Sequence, residues 1–274
     1  MLLNTINIEK ELQERGKIDR ISEMKRFYWI ILLIFLFFVG YRLFLNYTYP
    51  HYAYVVEVID GDTVRLSNGK DLRYLGINTP ETRLHEKNSW EKTFSYWGNR
   101  AQVFNEQLVL NKKVRIEYDR KKKDKYNRLL GYVFVDGVMV NAQLLKKGLA
   151  VIDIRFPNYK YVNQLAEAFL VGLKTKSGIW NNPLKFHRLD LKKYIGEIGI
   201  FEAKVLKVVN YKNTILILFP KNFRAVIFKD NLSLFKNMDL NLEGKIVKVY
   251  GMLKKYKGSY EIVLHHPLQL EVVK

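Results

Sequence analysis

Apolar and polar positions along this chain follow distinct periods in successive stretches. From 27 to 47 the run FYWIILLIFLFFVGYRLFLNY is apolar on every side and is broken only by Arg42. Roughly 20 apolar residues suffice to cross the hydrocarbon layer of a bilayer, and an arginine near the end of a span can carry its charge to the interface. The run therefore predicts one transmembrane helix. Beyond it, residues 54–59, 63–67 and 72–77 alternate with period two and are separated by Asp-Gly and Asn-Gly, which predicts a three-stranded meander. Trp97, Ala101, Phe104 and Leu108 recur at helical spacing, so a first helix is expected with these side chains in the core. KVRIEYD then alternates as a fourth strand and LLGYVFV as a fifth. MVNAQLLKKG predicts a short helix ended by Gly148, and 161–175 a third helix with Val162, Leu165 and Phe169 on one side. Five strands and three helices predict a mainly β, α+β domain over 52–183, built as a small barrel of the oligonucleotide-binding (OB) type.

The last eighty residues repeat this order. Strands are expected at 199–209, 214–219, 223–228, 245–252 and 260–264, with a short helix near 232–236 between the third and fourth. That is the order of a second OB-like barrel, spanning 194–274. Its first turn carries Tyr211 and Lys212, and its last turn carries Lys254, Lys255, Tyr256 and Lys257. Such barrels use these two loops to clasp single strands, and aromatic and basic side chains suit base stacking with phosphate neutralisation. The competing explanation is compositional, because Lys and Tyr are abundant throughout the chain.

Charge adds a polyanionic partner to this picture. The net charge of +19 is spread as +1 over residues 1–26, +1 at Arg42, +8 over 48–183 and +9 over 184–274. Both barrels can therefore face a phosphate backbone, with an affinity that falls steeply as salt rises. An anionic membrane surface would attract the same charge. Lys25 and Arg26 precede the apolar run and no charge follows Arg42 until Glu57, so the positive-inside rule places residues 1–26 in the cytoplasm and both barrels outside. A cleaved signal peptide is the main rival, but the charged leader is long and no A-x-A site follows the run. The absence of cysteine excludes disulfides, thiolate nucleophiles, cysteine-bound zinc and a lipidated cysteine anchor.

Four fragments carry candidate chemistry: IDGDT at 59–63, Arg73, NTPE at 78–81 and DKYNR at 124–128. Taken singly they are ordinary: a hairpin turn, a strand arginine, a Pro-containing turn and a basic loop. Together they supply a set. Asp62 and Asn78 offer side-chain oxygens of the kind a hard divalent cation takes, and Thr79, made extended by Pro80, can add its carbonyl. Glu81 can accept a proton from water, while Arg73 and Arg128 carry planar forks that match phosphate oxygens. Of five histidines only His85 falls near this set, and His265–His266 is expected at the surface.

The order and spacing of these fragments resemble the staphylococcal nuclease (thermonuclease-like) family, over a stretch from about Tyr54 to Trp180. The resemblance implies calcium held by Asp62, Asn78 and the Thr79 carbonyl, Glu81 as general base, and Arg73 and Arg128 on the scissile phosphate. It also implies contact of Lys125 and Tyr126 with a neighbouring phosphate. Asn78 stands where the family has a second aspartate, which removes one negative charge and admits a divalent ion other than calcium. The family's nucleotide-flanking tyrosines have no clear match in AVIDIRFPN. The expected function is a membrane-anchored, extracytoplasmic, metal-dependent nuclease acting on DNA or RNA with little sequence preference. The alternatives are a non-catalytic membrane-bound receptor that captures nucleic acid, and an envelope protein whose charge meets other polyanions.

Overall fold

The computed structural model describes the backbone of residues 2–86, 89–92 and 95–273, and side chains within that set except those of 2–23, 83–86, 89–92 and 188. Two compact units divide at residue 50. The first is a continuous helix, α1 (Leu2–Thr48). Within it Met24–Thr48 has a mean hydropathy of 2.2 and none of its residues is buried. Twenty-five residues at a rise of about 1.5 Å extend about 37 Å, enough to cross a hydrocarbon core of about 30 Å. The helix is long and apolar enough to be a membrane span or a signal sequence.

The second unit, 51–274, holds two barrels. In the first, β1 (Tyr52–Asp60), β2 (Thr63–Leu66) and β3 (Asp71–Tyr74) form the expected meander. The predicted third strand is interrupted, because Gly76 adopts φ +77 and redirects the chain into β4 (Gly76–Asn78). A Cβ there would lie 2.3 Å from Leu165 Cδ1, so neither the backbone nor the space accepts another residue. A short hairpin follows, β5 (Arg83–Glu86) with β6 (Ser89–Lys92). Next come α2 (Tyr96–Val109), β7 (Lys113–Glu117), β8 (Leu129–Val135), β9 (Val138–Met139), α3 (Val140–Lys146), β10 (Val151–Asp153) and α4 (Val162–Lys174). The sheet runs β3-β2-β1-β7-β8-β9, and β3 also pairs in parallel with β8 through Leu72 and Leu129. That pairing closes a five-stranded barrel and removes its free edges. Val55, Val64, Leu66, Leu72, Val114, Ile116, Leu129 and Val133 fill it and are fully buried.

Helix α2 turns a different face inward from the one expected. Gly98, Ala101, Asn105 and Val109 are its buried residues, whereas Trp97, Phe104 and Leu108 are half-buried. Asn105 draws the helix round: its Oδ1 accepts from the Tyr74 hydroxyl at 2.9 Å and its Nδ2 donates to the Asp60 carbonyl at 3.4 Å. Satisfying a buried tyrosine hydroxyl outweighs covering one more apolar ring, since an unpaired buried polar group costs about 1–3 kcal/mol.

The stretch from Gly178 to Tyr194 is folded, with three short 3-10 turns, a buried Phe186, and β11 (Leu184–Lys185) paired in parallel with the next strand. The second barrel comprises β12 (Ile198–Lys204), β13 (Lys207–Asn210), β14 (Thr214–Phe219), β15 (Phe223–Phe228), β16 (Ile246–Met252), β17 (Lys254–Tyr256), β18 (Ser259–Leu264) and β19 (Leu270–Val272). The single first strand expected at 199–209 is split at Val205, and 229–235 forms a 3-10 helix. As in the first barrel, the third strand of the meander pairs in parallel with the last, here β15 with β18. Its core centres on Phe201 stacked on Phe223, with ring centroids 3.6 Å apart.

The two barrels pack directly against each other. Trp180 lies edge-on between Phe169 of α4 and Tyr250 of β16, at 5.7 and 5.9 Å. Asn231 is buried beneath the segment after β10: its Nδ2 donates to the Ile154 carbonyl at 2.5 Å, and its Oδ1 accepts from the Phe156 N–H and the Tyr159 hydroxyl, both at 3.0 Å.

Candidate active site

The β1–β2 turn carries the first acidic residues. Asp60 Oδ1 accepts from the Asp62 N–H at 3.0 Å, a local turn bond available to Asp and Asn. Gly61 is required by space, since a Cβ would lie 2.6 Å from Ala101 Cβ and 2.7 Å from Thr79 Oγ1. The turn thereby presses Asp62 against the segment after β4. Asp62 is fully buried, and its Oδ2 accepts from the Thr79 N–H at 2.8 Å.

Arg73 on β3 joins the two side chains expected to share an ion. Its Nη1 donates to Asp62 Oδ1 and its Nη2 to Asn78 Oδ1. Asn78 reaches this point because the Gly76 bend carries β4 out of the barrel to pair with β10. Its Nδ2 donates to Met252 Sδ at 2.9 Å, a contact from the second barrel that points the amide oxygen toward Arg73. Burial raises the Asp62 carboxyl above the ordinary carboxylate range; Arg73 and the Thr79 N–H pull the other way, and Asp60 and Glu81 add to the rise. Around Arg73, burial opposes the charge, yet Asp62, Asp60 and Glu81 hold the guanidinium above its ordinary value.

This donor set suits a hard divalent cation such as calcium. A carboxylate, an amide oxygen and a main-chain carbonyl are the oxygen types such ions take, and the Asp62 and Asn78 oxygens already converge on one cation, the Arg73 guanidinium. Among the described residues no cluster of three or more His, Cys, Asp or Glu could hold a metal, so a site here depends on the amide and the carbonyl.

Glu81 lies at the rim of the same site and is half-buried. Its N–H donates to the Gly196 carbonyl at 3.1 Å. Burial raises its carboxyl, Asp60 adds to the rise, and Arg73, Lys254 and Arg128 oppose it. The DKYNR loop is organised by Asp124, whose Oδ1 accepts from the N–H groups of Tyr126 at 2.9 Å and Arg128 at 3.0 Å. Its Oδ2 takes Arg128 Nε at 2.8 Å, and Asn127 supplies the left-handed residue at φ 65. Lys125 Nζ lies 4.9 Å from the Tyr126 ring, which is exposed.

Arg73, Asn78, Glu81, Tyr126 and Arg128 line one cleft of about 600 Å³, with Asp62 and Thr79 buried directly behind its wall. Lys125 is exposed beside it without lining it. On the second barrel Tyr211, Lys212, Lys255, Tyr256 and Lys257 are exposed as expected for the two loops, whereas Lys254 lines the cleft. The side chain of His85 lies outside the described residues.

A profile of staphylococcal nuclease homologues matches residues 71–182. The thermonuclease of Staphylococcus hyicus is 40% identical over 131 residues, which cover 47% of this chain and 75% of that protein. Two Bacillus subtilis proteins, endonuclease YncB and the SPbeta prophage-derived endonuclease YokF, are 41% and 39% identical over 130 residues, covering 59% and 42% of their lengths. The chain belongs to the staphylococcal nuclease family.

This family member departs from the sequence expectation after β10. Asp153 and Arg155 both line the cleft, joined by bonds of 2.7 Å from Arg155 Nε to Oδ1 and from Nη2 to Oδ2. His265 is buried, not at the surface: its Nε2 is 3.0 Å from Asp153 Oδ1 and its Nδ1 is 3.2 Å from the Ile154 carbonyl. Burial pushes Asp153 up, but Arg155 and His265 outweigh it and hold the carboxyl well below the usual range. The signal for this group was an Asp and an Arg two residues apart at the end of the apolar run AVIDIR, a spacing that puts both on one face of an extended chain. Nothing local identified His265 as their neighbour.

Proposed function

We propose that this protein is a metal-dependent nuclease that hydrolyses phosphodiester bonds of DNA or RNA, held at a membrane by α1 with its barrels on the extracytoplasmic side. The observation that carries the reading is the convergence of Glu81, Arg73 and Arg128 on one cleft lined also by Asn78, with Asp62 bonded to Arg73 behind its wall. The names of the relatives, thermonuclease and endonuclease, support the same reaction class. The orientation rests on Lys25 and Arg26 before the apolar run.

Asp62, Asn78 and the Thr79 carbonyl would hold the ion, which when bound supplies positive charge against a phosphate oxygen. Glu81 accepts the proton of the attacking water, whose oxygen bonds to phosphorus as the bond to the leaving oxygen breaks; the leaving oxygen takes a proton from solvent. Arg73 and Arg128 stabilise the charge that gathers on the remaining phosphate oxygens. Because Glu81 acts in its ionised form and its carboxyl is raised by burial, activity should be full above that raised pKa and decline as pH falls through it.

The test is cleavage of DNA and RNA with calcium and with a chelator, in wild type and Glu81→Gln. The variant should lose about 10²–10⁴ in kcat while still binding nucleic acid. Equal turnover by the variant, or turnover indifferent to chelation, would refute the mechanism, and salt-sensitive binding without turnover in wild type would favour a receptor.

A further inference from the structure

Lys254 is the residue of the second barrel that lines the cleft. It follows a strip, Met252–Leu253, that lies against the proposed site at two points. Met252 Sδ accepts from Asn78 Nδ2. The Leu253 carbonyl accepts from the Gly196 N–H at 2.9 Å, and the Gly196 carbonyl accepts from the Glu81 N–H at 3.1 Å. Lys254 is thus tied to the Glu81 main chain through two successive peptide hydrogen bonds and sits at the first residue of β17, where the backbone is paired with Glu261. Glu261 is already taken by Arg224, at 2.9 Å from Nε and 2.7 Å from Nη2. Among the described residues Lys254 has no ion pair within 4 Å. A half-buried ammonium on a fixed strand faces a cleft whose Arg73, Arg128 and Arg155 are each bonded to a carboxylate, Asp62, Asp124 and Asp153, and is placed for a phosphate.

We propose that the second barrel forms part of the substrate cleft, and that Lys254 binds a phosphate of the nucleic-acid strand adjacent to the one held by Arg73 and Arg128. This rests on the nuclease reading above. The exposed Lys255, Tyr256 and Lys257 then continue the path of the strand away from the cleft. Burial lowers the Lys254 ammonium, with Arg155 and Arg73 adding to that and Asp153 and Glu81 opposing it.

The experiment uses the full chain purified in detergent and a labelled single-stranded DNA, in chelator to prevent turnover. The dependence of log Kd on log salt is measured for wild type, Lys254→Gln, Lys254→Arg and Glu81→Gln, with KM and kcat measured in calcium. Each lost phosphate contact on a single strand lowers the slope by about 0.7. Lys254→Gln should show that drop and a raised KM with kcat nearly kept, and Lys254→Arg should regain the wild-type slope. A wild-type slope and KM in Lys254→Gln would overturn the inference, as would an arginine variant as defective as the glutamine one. If wild type bound with a Lys254-dependent slope yet never cleaved, the nuclease reading would fail while the contact stood.

Discussion

Asn231→Ala tests whether the two barrels are one cooperative body. Asn231 is buried and makes three hydrogen bonds across the junction, to the Ile154 carbonyl, the Phe156 N–H and the Tyr159 hydroxyl. Truncation removes all three, each worth about 1 kcal/mol net. Two of the stranded groups keep another neighbour: the Ile154 carbonyl faces His265 Nδ1 at 3.2 Å, and the Tyr159 hydroxyl bonds the Asp230 carbonyl at 3.0 Å. The Phe156 N–H belongs to an exposed residue and can turn to solvent. Together the three lost bonds give a destabilisation of about 3 kcal/mol, or a fall in Tm of about 6–12 °C for a body of this size. Urea unfolding of the chain from residue 48 onward, followed by tryptophan fluorescence, is a suitable assay because Trp180 is buried at the junction. Unfolding within about 0.5 kcal/mol of wild type would refute the ledger. Two separate transitions in wild type would refute the single body.

Two further outcomes concern stability alone. The His266 ring is held down to about 4 by burial, and its side chain accepts from the Leu268 N–H at 3.2 Å as a neutral cap. The folded state therefore resists a proton that the unfolded chain takes below about 6.5, so its contribution is complete above 6.5 and is lost as pH falls toward 4. After discounting for partial exposure, wild type should lose about 1–2 kcal/mol more than His266→Asn between pH 7 and 4.5 in urea titrations, and equal losses would refute the assignment. Gly148 ends α3 at φ 62, and a Cβ there would lie 2.0 Å from the Ser177 carbonyl oxygen. Gly148→Ala should cost at least about 2 kcal/mol, whereas Gly137→Ala, at φ 80 with open space around it, should cost only about 1 kcal/mol of backbone strain; thermal unfolding that ranked the two the other way would contradict the steric argument.

The barrels were legible because their strands carry a period-two pattern punctuated by Asp-Gly and Asn-Gly, and 214–219 and 223–228 emerge as β14 and β15 with unchanged bounds. The grouping of Asp62, Arg73, Glu81 and Arg128 was legible in part because two of the four fragments are turns whose own side chains build them, as Asp60 does for Asp62 and Asp124 for Arg128. What pattern could not give was the face of α2, which is set by a polar bond between Asn105 and Tyr74. Nor could it give the break at Gly76, because a glycine in an alternating run signals either a bend or a close approach and only packing decides. The joining of the barrels escaped for a related reason. It rests on Asn231, His265, Met252 and Gly196 meeting residues more than seventy positions away, and polar pairs at that separation leave no period in the chain.

The bond from the Glu81 N–H to the Gly196 carbonyl has a consequence for anyone recombining these proteins. A glutamate at the rim of one barrel takes its main-chain anchor from the stretch that leads into the other, so the length of the 183–196 connection is part of its alignment. Insertions at the Asp136–Gly137 hairpin should be absorbed by solvent, but one residue added before Gly196 would shift the anchor by the length of a peptide unit. A chimaera carrying a foreign second barrel would need Gly196 and Leu253 transplanted as a matched pair, and evolution would be expected to exchange the two barrels as one cassette.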